Sequence, residues 1–102
     1  CRYTNALTLA AGVAQSFDVP TNGARDWVIV VSNAGANAIT AMTVASSPLG
    51  NLVEDATTVT SGIPIAAGST LAIRGQHEPV AMVRVTLTST SGTTVSVEAG
   101  GW

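Results

Sequence analysis

His77 and Glu78, in the stretch GQHEP, are the one place where a histidine stands beside a carboxylate. Such a pair can pass a proton in general acid-base catalysis or supply two members of a hydrolase triad. The surroundings argue against that chemistry. The pair falls in an expected turn before Pro79, no G-x-S-x-G nucleophile elbow is present, and one histidine cannot build a multi-histidine metal site. Glu54 and Asp55, with Asn51 nearby, offer oxygen ligands for calcium. They have neither the spacing of an EF-hand loop nor a glycine-aspartate repeat, so a charged loop is expected. Asp18 and Asp26 flank PTNGAR around Arg25, an arrangement expected to order the turn through a local ion pair of little energetic weight. These readings together predict no enzyme, no cofactor and no metal.

The aromatic residues carry the other candidate chemistry. Trp27 and Phe17 fall in apolar runs and are expected in the core, which leaves Tyr3 and Trp102, one near each end of the chain. The closing GGW places a large amphipathic ring after two glycines expected to be flexible. Aromatic rings of this kind anchor protein interfaces. Arg2, beside Tyr3, is the matching candidate at the other end, so Arg2, Tyr3 and Trp102 are the predicted interface residues. The alternating threonines of TLTSTSGTT could face ice or sugar, but they are also the ordinary outward face of a strand.

The elements that must position these residues are strands. No window sustains apolar residues at helical spacing, whereas alternating runs bounded by Gly, Pro, Asn and Ser recur near 5-10, 13-19, 26-33, 38-46, 52-60, 69-75, 79-89 and 93-99. DWVIVVSN is apolar on both faces and is expected to be central and covered on both sides. PVAMVRVTLTST sends Val83, Val85 and Leu87 one way and Arg84, Thr86 and Thr88 the other. Ala66-Ala67-Gly68 lies 56 positions after Ala10-Ala11-Gly12, and the same offset sets Leu9 on Ile65, Phe17 on Ile73, Ile29 on Val85 and Ile39 on Val95. Strand phase is therefore kept over four strands, and a slip of one residue would destroy it. The expected fold is all-β: a single compact antiparallel β-sandwich over 1-102, jelly-roll or immunoglobulin-like, with about eight strands in two similar halves packed face to face. Residues from about 46 to 60 join the halves, as an edge strand or a projecting loop.

Composition limits the partners. The chain has 102 residues, 46% hydrophobic but only 4% aromatic and 10% charged, so the core must be built of Val, Ile, Leu, Ala and Met. The basic residues are Arg2, Arg25, Arg74 and Arg84, with no lysine, and the net charge is -2. That is too little clustered positive charge for nucleic acid, and no apolar run approaches the roughly 20 residues of a membrane helix. Neither nucleic acid nor membrane is an expected partner. Cys1, the single cysteine, excludes an internal disulfide and a thiolate cage. Its place at the start is read as initiator-methionine removal or truncation, ahead of a lipid anchor. So few charges leave the surface open to association, as in a subunit of an assembly.

The pattern LTLAAGVAQSFDVP, GARDWVIVVSNAGANAITAMTVASSPLG, IAAGSTLAIRG and VRVTLTSTSGTTVSVEA resembles the small Ala/Thr/Val-rich β proteins of tailed-phage virions, especially capsid decoration or cement proteins. That resemblance implies a β-sandwich on the outer capsid surface that binds the major capsid protein, strengthens the shell and forms a homo-oligomer, dimer or trimer. The alternative expectation is a fibre or adhesin-like module that recognises a glycan or a host surface.

Overall fold

Alternation of apolar and small polar residues drives every element of the computed structural model, which describes residues 2–47, 57–75 and 80–102. Eight strands form: β1 (Arg2–Leu9), β2 (Gln15–Ala24), β3 (Trp27–Asn33), β4 (Ile39–Ser47), β5 (Thr57–Ile65), β6 (Thr70–Gly75), β7 (Val80–Thr88) and β8 (Thr93–Gly101). β3 buries Trp27, Ile29, Val31 and Asn33 and half-buries the residues between them. Its outer side is thus less covered than its apolar sequence predicts. β8 buries every second residue from Thr93 to Gly101. Several boundaries differ from expectation: β1 begins at Arg2 and not near 5, β2 runs on to Ala24, and β5 runs on through Ile65 despite Gly62 and Pro64, because it is an edge strand and tolerates a missing donor. Of the segment expected to join the halves, the flanks lie in β4 and β5, and 48–56 fall outside the described residues.

The sheets run β1-β8-β3-β6 and β2-β7-β4-β5, here called sheet A and sheet B. β1 pairs antiparallel with β8, β2 with β7, β3 with β6 and β4 with β5. First pairs with last and so inward, as though one long hairpin had been rolled into a barrel-like sandwich, which is the jelly roll and not the immunoglobulin order. The two similar halves do not pack as one sheet each, as expected from sequence. Each sheet draws two strands from each half. Advancing every strand of sheet A by four places gives β5-β4-β7-β2, which is sheet B read backwards, so the repeat is a pseudo-twofold that exchanges the sheets.

Backbone contacts obey that relation. Gly12 N–H donates to Ser89 O at 2.9 Å and Gly68 N–H to Asn33 O at 2.8 Å. Val13 N–H donates to Ala10 O at 3.2 Å and Ser69 N–H to Ala66 O at 3.0 Å. Gly12 and Gly68 sit at φ 70° and 77°, the left-handed region that favours glycine, so Ala-Ala-Gly is one turn used twice.

Between the sheets lie Leu9, Val19, Trp27, Ile29, Val31, Ile39, Met42, Val44, Val83, Val85 and Leu87, with Val95 and Val97 of β8. Each fully buried aliphatic side chain contributes about 1.5–3 kcal/mol. Asn33 and Ser89, also 56 positions apart, are buried polar residues at the same end of the sandwich. Asn33 Nδ2 donates to Asn37 O at 2.8 Å and Ile65 O at 3.2 Å, while its Oδ1 accepts from Thr93 Oγ1 at 2.8 Å and Gly35 N–H at 3.3 Å. Ser89 Oγ donates to Ala38 O at 2.7 Å. Among the described residues no buried side-chain nitrogen or oxygen lacks a partner.

Candidate functional site

Among the described residues Trp102 is the most exposed large hydrophobic side chain, 72% exposed, yet it is not on a loose tail. Gly100 and Gly101 belong to β8, with Gly101 buried against Ala24 and Asp26, and Trp102 continues the pairing. Its N–H donates to Asp26 O at 2.9 Å and its carbonyl accepts from Asp26 N–H at 3.2 Å. The expected flexibility of GGW is overturned because Gly100 is paired in the sheet with Arg2 and Val28, and Gly101 lies against neighbouring chain, where a side chain would collide. On one side of the indole a recess is lined by Asp26, Val28, Arg74 and Gly75. On the other, a shallow depression is formed by Thr21, Asn22, Gly23 and Ala24.

That second depression exists because β2 is irregular. Pro20 is opposite Met82 but Ala24 is opposite Val80, so β2 carries extra residues relative to β7. Asn22 and Gly23 absorb them at φ 54° and 79°, residue types that tolerate the left-handed region. Thr21 turns inward and donates from Oγ1 to Val80 O at 2.6 Å. The bulge holds Asn22 and Gly23 out to solvent beside Trp102.

The other predicted interface residues are placed differently. Tyr3 is half-buried in β1, and its ring stacks on Phe17 of β2 with centroids 6.1 Å apart and planes 3° from parallel. Its hydroxyl accepts from Asn5 Nδ2 at 3.1 Å. The pair closes the side of the sandwich where the two sheets' edge strands meet, so Tyr3 is held by packing within a strand and not on a loose terminus. Phe17, expected in the core, lies at the core's margin. Arg2 is in β1 opposite Gly100.

The flat outer faces follow from register. Across sheet A the rows read Ala6, Ser96, Ser32, Thr70 and then Thr4, Glu98, Val30, Ala72. Across sheet B, Ser16 and Thr43 flank Thr86, with Ser16 Oγ 2.8 Å from Thr86 Oγ1. Asp18 does not order its turn through Arg25, as expected. It lies opposite Arg84, whose Nε and Nη2 donate to its two carboxylate oxygens at 2.8 and 3.1 Å. The hydrogen bond to Asp18, more than its charge, makes the Arg84 guanidinium hold its proton more firmly than usual. Sequence reasoning missed this pair because its members are 66 residues apart, and it missed Arg74 beside Trp102 for the same reason.

Cys1, Asn51, Glu54, Asp55, His77 and Glu78 lie outside the described residues. Among the described residues, no three His, Cys, Asp or Glu side chains gather as metal ligands, and no helix is long and apolar enough to cross a membrane.

No family model matches the chain, and no curated protein matches it. Solved structures do. The chitosan-binding module 1 of a chitosanase/glucanase from Paenibacillus sp. IK-5 is similar with a TM-score of 0.61 and 20% identity, over 90% of this chain and 74% of that one. PirA gives 0.62 at 10% identity, covering 98% and 94%. A subunit of Bacillus endospore appendages, described as disulfide-linked pili, gives 0.51 at 15%, covering 99% and 85%. At such identities the likeness is one of fold: this chain is a β-sandwich of a kind also found in a carbohydrate-binding module and in an appendage protein.

Proposed function

We propose that the chain is a structural subunit of a particle surface, a decoration or cement protein of a tailed-phage capsid that binds the major capsid protein and stiffens the shell. The observation that carries this reading is the character of the outer faces: rows of Ala, Ser, Thr and Val on sheet A, and of Ser and Thr on sheet B, with few charges. Short hydroxyl and alkyl side chains lose little conformational entropy on docking and hold water weakly compared with lysine or glutamate. A rigid sandwich with such faces can bridge neighbouring subunits, and many modest contacts then add along a lattice. The sandwich likeness to an appendage subunit supports a role in assembly. Purified protein should return to decoration-stripped capsids in stoichiometric amounts and raise their disruption temperature. Failure to bind any expanded shell would remove the capsid reading.

A second reading has its own support in Trp102, an exposed ring on a fixed backbone with Arg74 and Asp26 beside it. An indole face with flanking polar groups can stack on a sugar ring while the neighbours take its hydroxyls. The similarity to a chitosan-binding module agrees with a glycan-recognition module. A glycan array probed with the wild-type protein and with Trp102→Ala decides it: specific binding lost in the variant supports this reading.

A further inference from the structure

The fold treats the four arginines of the chain unequally. Arg84 is forked onto Asp18. Arg25 and Arg74 are both exposed and have no hydrogen bond or ion pair to any described residue. Both stand beside Trp102. Arg74 lines the recess on one side of the indole, and Arg25 lies between Ala24, a wall of the depression on the other side, and Asp26, whose backbone pairs with Trp102. The neighbouring row across sheet A reads Arg2, Gly100, Val28, Arg74, so the remaining arginine occupies a position on that row as well. Asp26, the carboxylate at this place, has a further interaction of its own within the chain, and Glu98 stands one row beyond, opposite Val30. Among the described residues the ground around the indole is therefore cationic, in a protein whose net charge is -2.

The two hollows differ in size and chemistry. The recess with Arg74 is about 30 Å³, room for a water or two or for the oxygens of one carboxylate, but not for a ring. The depression over the bulge is about 460 Å³, within the roughly 300–1,000 Å³ of small-ligand sites. Asn22 brings to it an exposed amide, donor and acceptor, with no partner among the described residues. Between the two stands a flat indole on a backbone fixed by two hydrogen bonds to Asp26. A ligand that satisfies all three has a saturated ring for the indole, hydroxyls for the amide and an anionic oxygen pair for the guanidinium. We infer that this end of the molecule binds an acidic sugar, a pyranose bearing a carboxylate, with its ring against Trp102, its hydroxyls toward Asn22 and its carboxylate held by Arg74. Arg25 adds attraction at longer range. The planar fork of arginine matches a carboxylate as an ammonium does not, whereas a neutral sugar leaves Arg74 unused and a cationic one is repelled.

The inference rests on the glycan reading and names its class of sugar. Tryptophan emission of the full chain reports binding, because Trp27 is 3% exposed and Trp102 72%, so a sugar that covers the indole changes the signal of Trp102. The probes are trigalacturonic acid, its carboxyl-reduced counterpart, sialyllactose, lactose, chitosan trimer and a single-stranded oligonucleotide. At least one acidic probe should bind about tenfold or more tightly than its neutral counterpart, and whether the uronate or the sialoside does so distinguishes the two sources of the carboxylate. Arg74→Ala should remove that preference and leave the weak binding of the neutral sugar, and Trp102→Ala should remove both. Both residues are exposed, so thermal unfolding of the variants should match wild type. Equal binding of acidic and neutral sugars, or tighter binding of the chitosan trimer, overturns the inference and keeps the glycan reading. An acid preference that survives in Arg74→Ala, or an oligonucleotide that binds as tightly as the acidic sugar, also overturns it, the latter because attraction is then general to polyanions. Emission unmoved by every sugar at millimolar concentration removes both the inference and the glycan reading.

Discussion

Asn33 occupies both donors and both acceptors of its amide, joining the β3–β4 loop, the end of β5 and the start of β8. Removing it leaves the Thr93 hydroxyl and the Ile65 carbonyl without this partner inside the protein, and each buried orphan costs about 1–3 kcal/mol. Asn33→Ala should therefore lose about 2–4 kcal/mol of unfolding free energy in a urea titration. Asn33→Asp should be poorly stable at neutral pH and recover as pH falls. Burial and two facing carbonyls hold the new carboxyl's folded-state pKa above its unfolded value, so the stability of the protonated form is present at low pH and lost as pH rises through the folded value. A flat stability profile from neutral to mildly acidic pH would refute that account. The Arg84–Asp18 pair behaves oppositely: it is exposed on a strand face, and Asp18→Asn should leave the unfolding midpoint within measurement error.

The strand-turn-strand unit is the element that the chain uses twice. Gly12 and Gly68 have open space where a Cβ would stand, so substitution meets only the backbone strain of positive φ. Gly12→Ala and Gly68→Ala should each cost about 1–2 kcal/mol, and by nearly equal amounts. Gly92, at φ 81°, has the Leu9 carbonyl 3.0 Å from the place of a Cβ, so Gly92→Ala should cost more than either. Differential scanning calorimetry of the three variants checks the ranking. Equal losses at Gly92 and Gly12 would show that the close approach of Leu9 has no weight. The Asn22-Gly23 bulge belongs to the same scale, since it shapes the ground beside Trp102 without touching the core.

At the scale of the whole molecule, pairing first strand with last means that sheet A cannot close until the entire chain has collapsed. Loop closure over that separation precedes the reward of β1–β8 pairing, so refolding should take about milliseconds to seconds by stopped-flow fluorescence of Trp27, as in other sheets built of distant pairings. Microsecond refolding would contradict the rolled-hairpin topology.

What the residues determined by themselves was phase. Which side chains of VRVTLTS face inward, how those of DWVIVVSN divide between two faces, where Ala-Ala-Gly turns, and that one unit recurs after 56 positions were legible, because strand alternation and turn chemistry act between near neighbours. Tertiary structure decided what depends on distant partners. It rolled the two halves into each other instead of stacking them, set Asp18 against Arg84, laid Tyr3 on Phe17, and locked GGW to Asp26 so that Trp102 stands fixed on the outer face of sheet A. Apolar alternation says only that a strand has an inside. Which strand lies beside it is settled by the sum of cross-strand packing over the whole fold, and the placing of Arg74 and the Asn22 bulge around Trp102 follows from that sum.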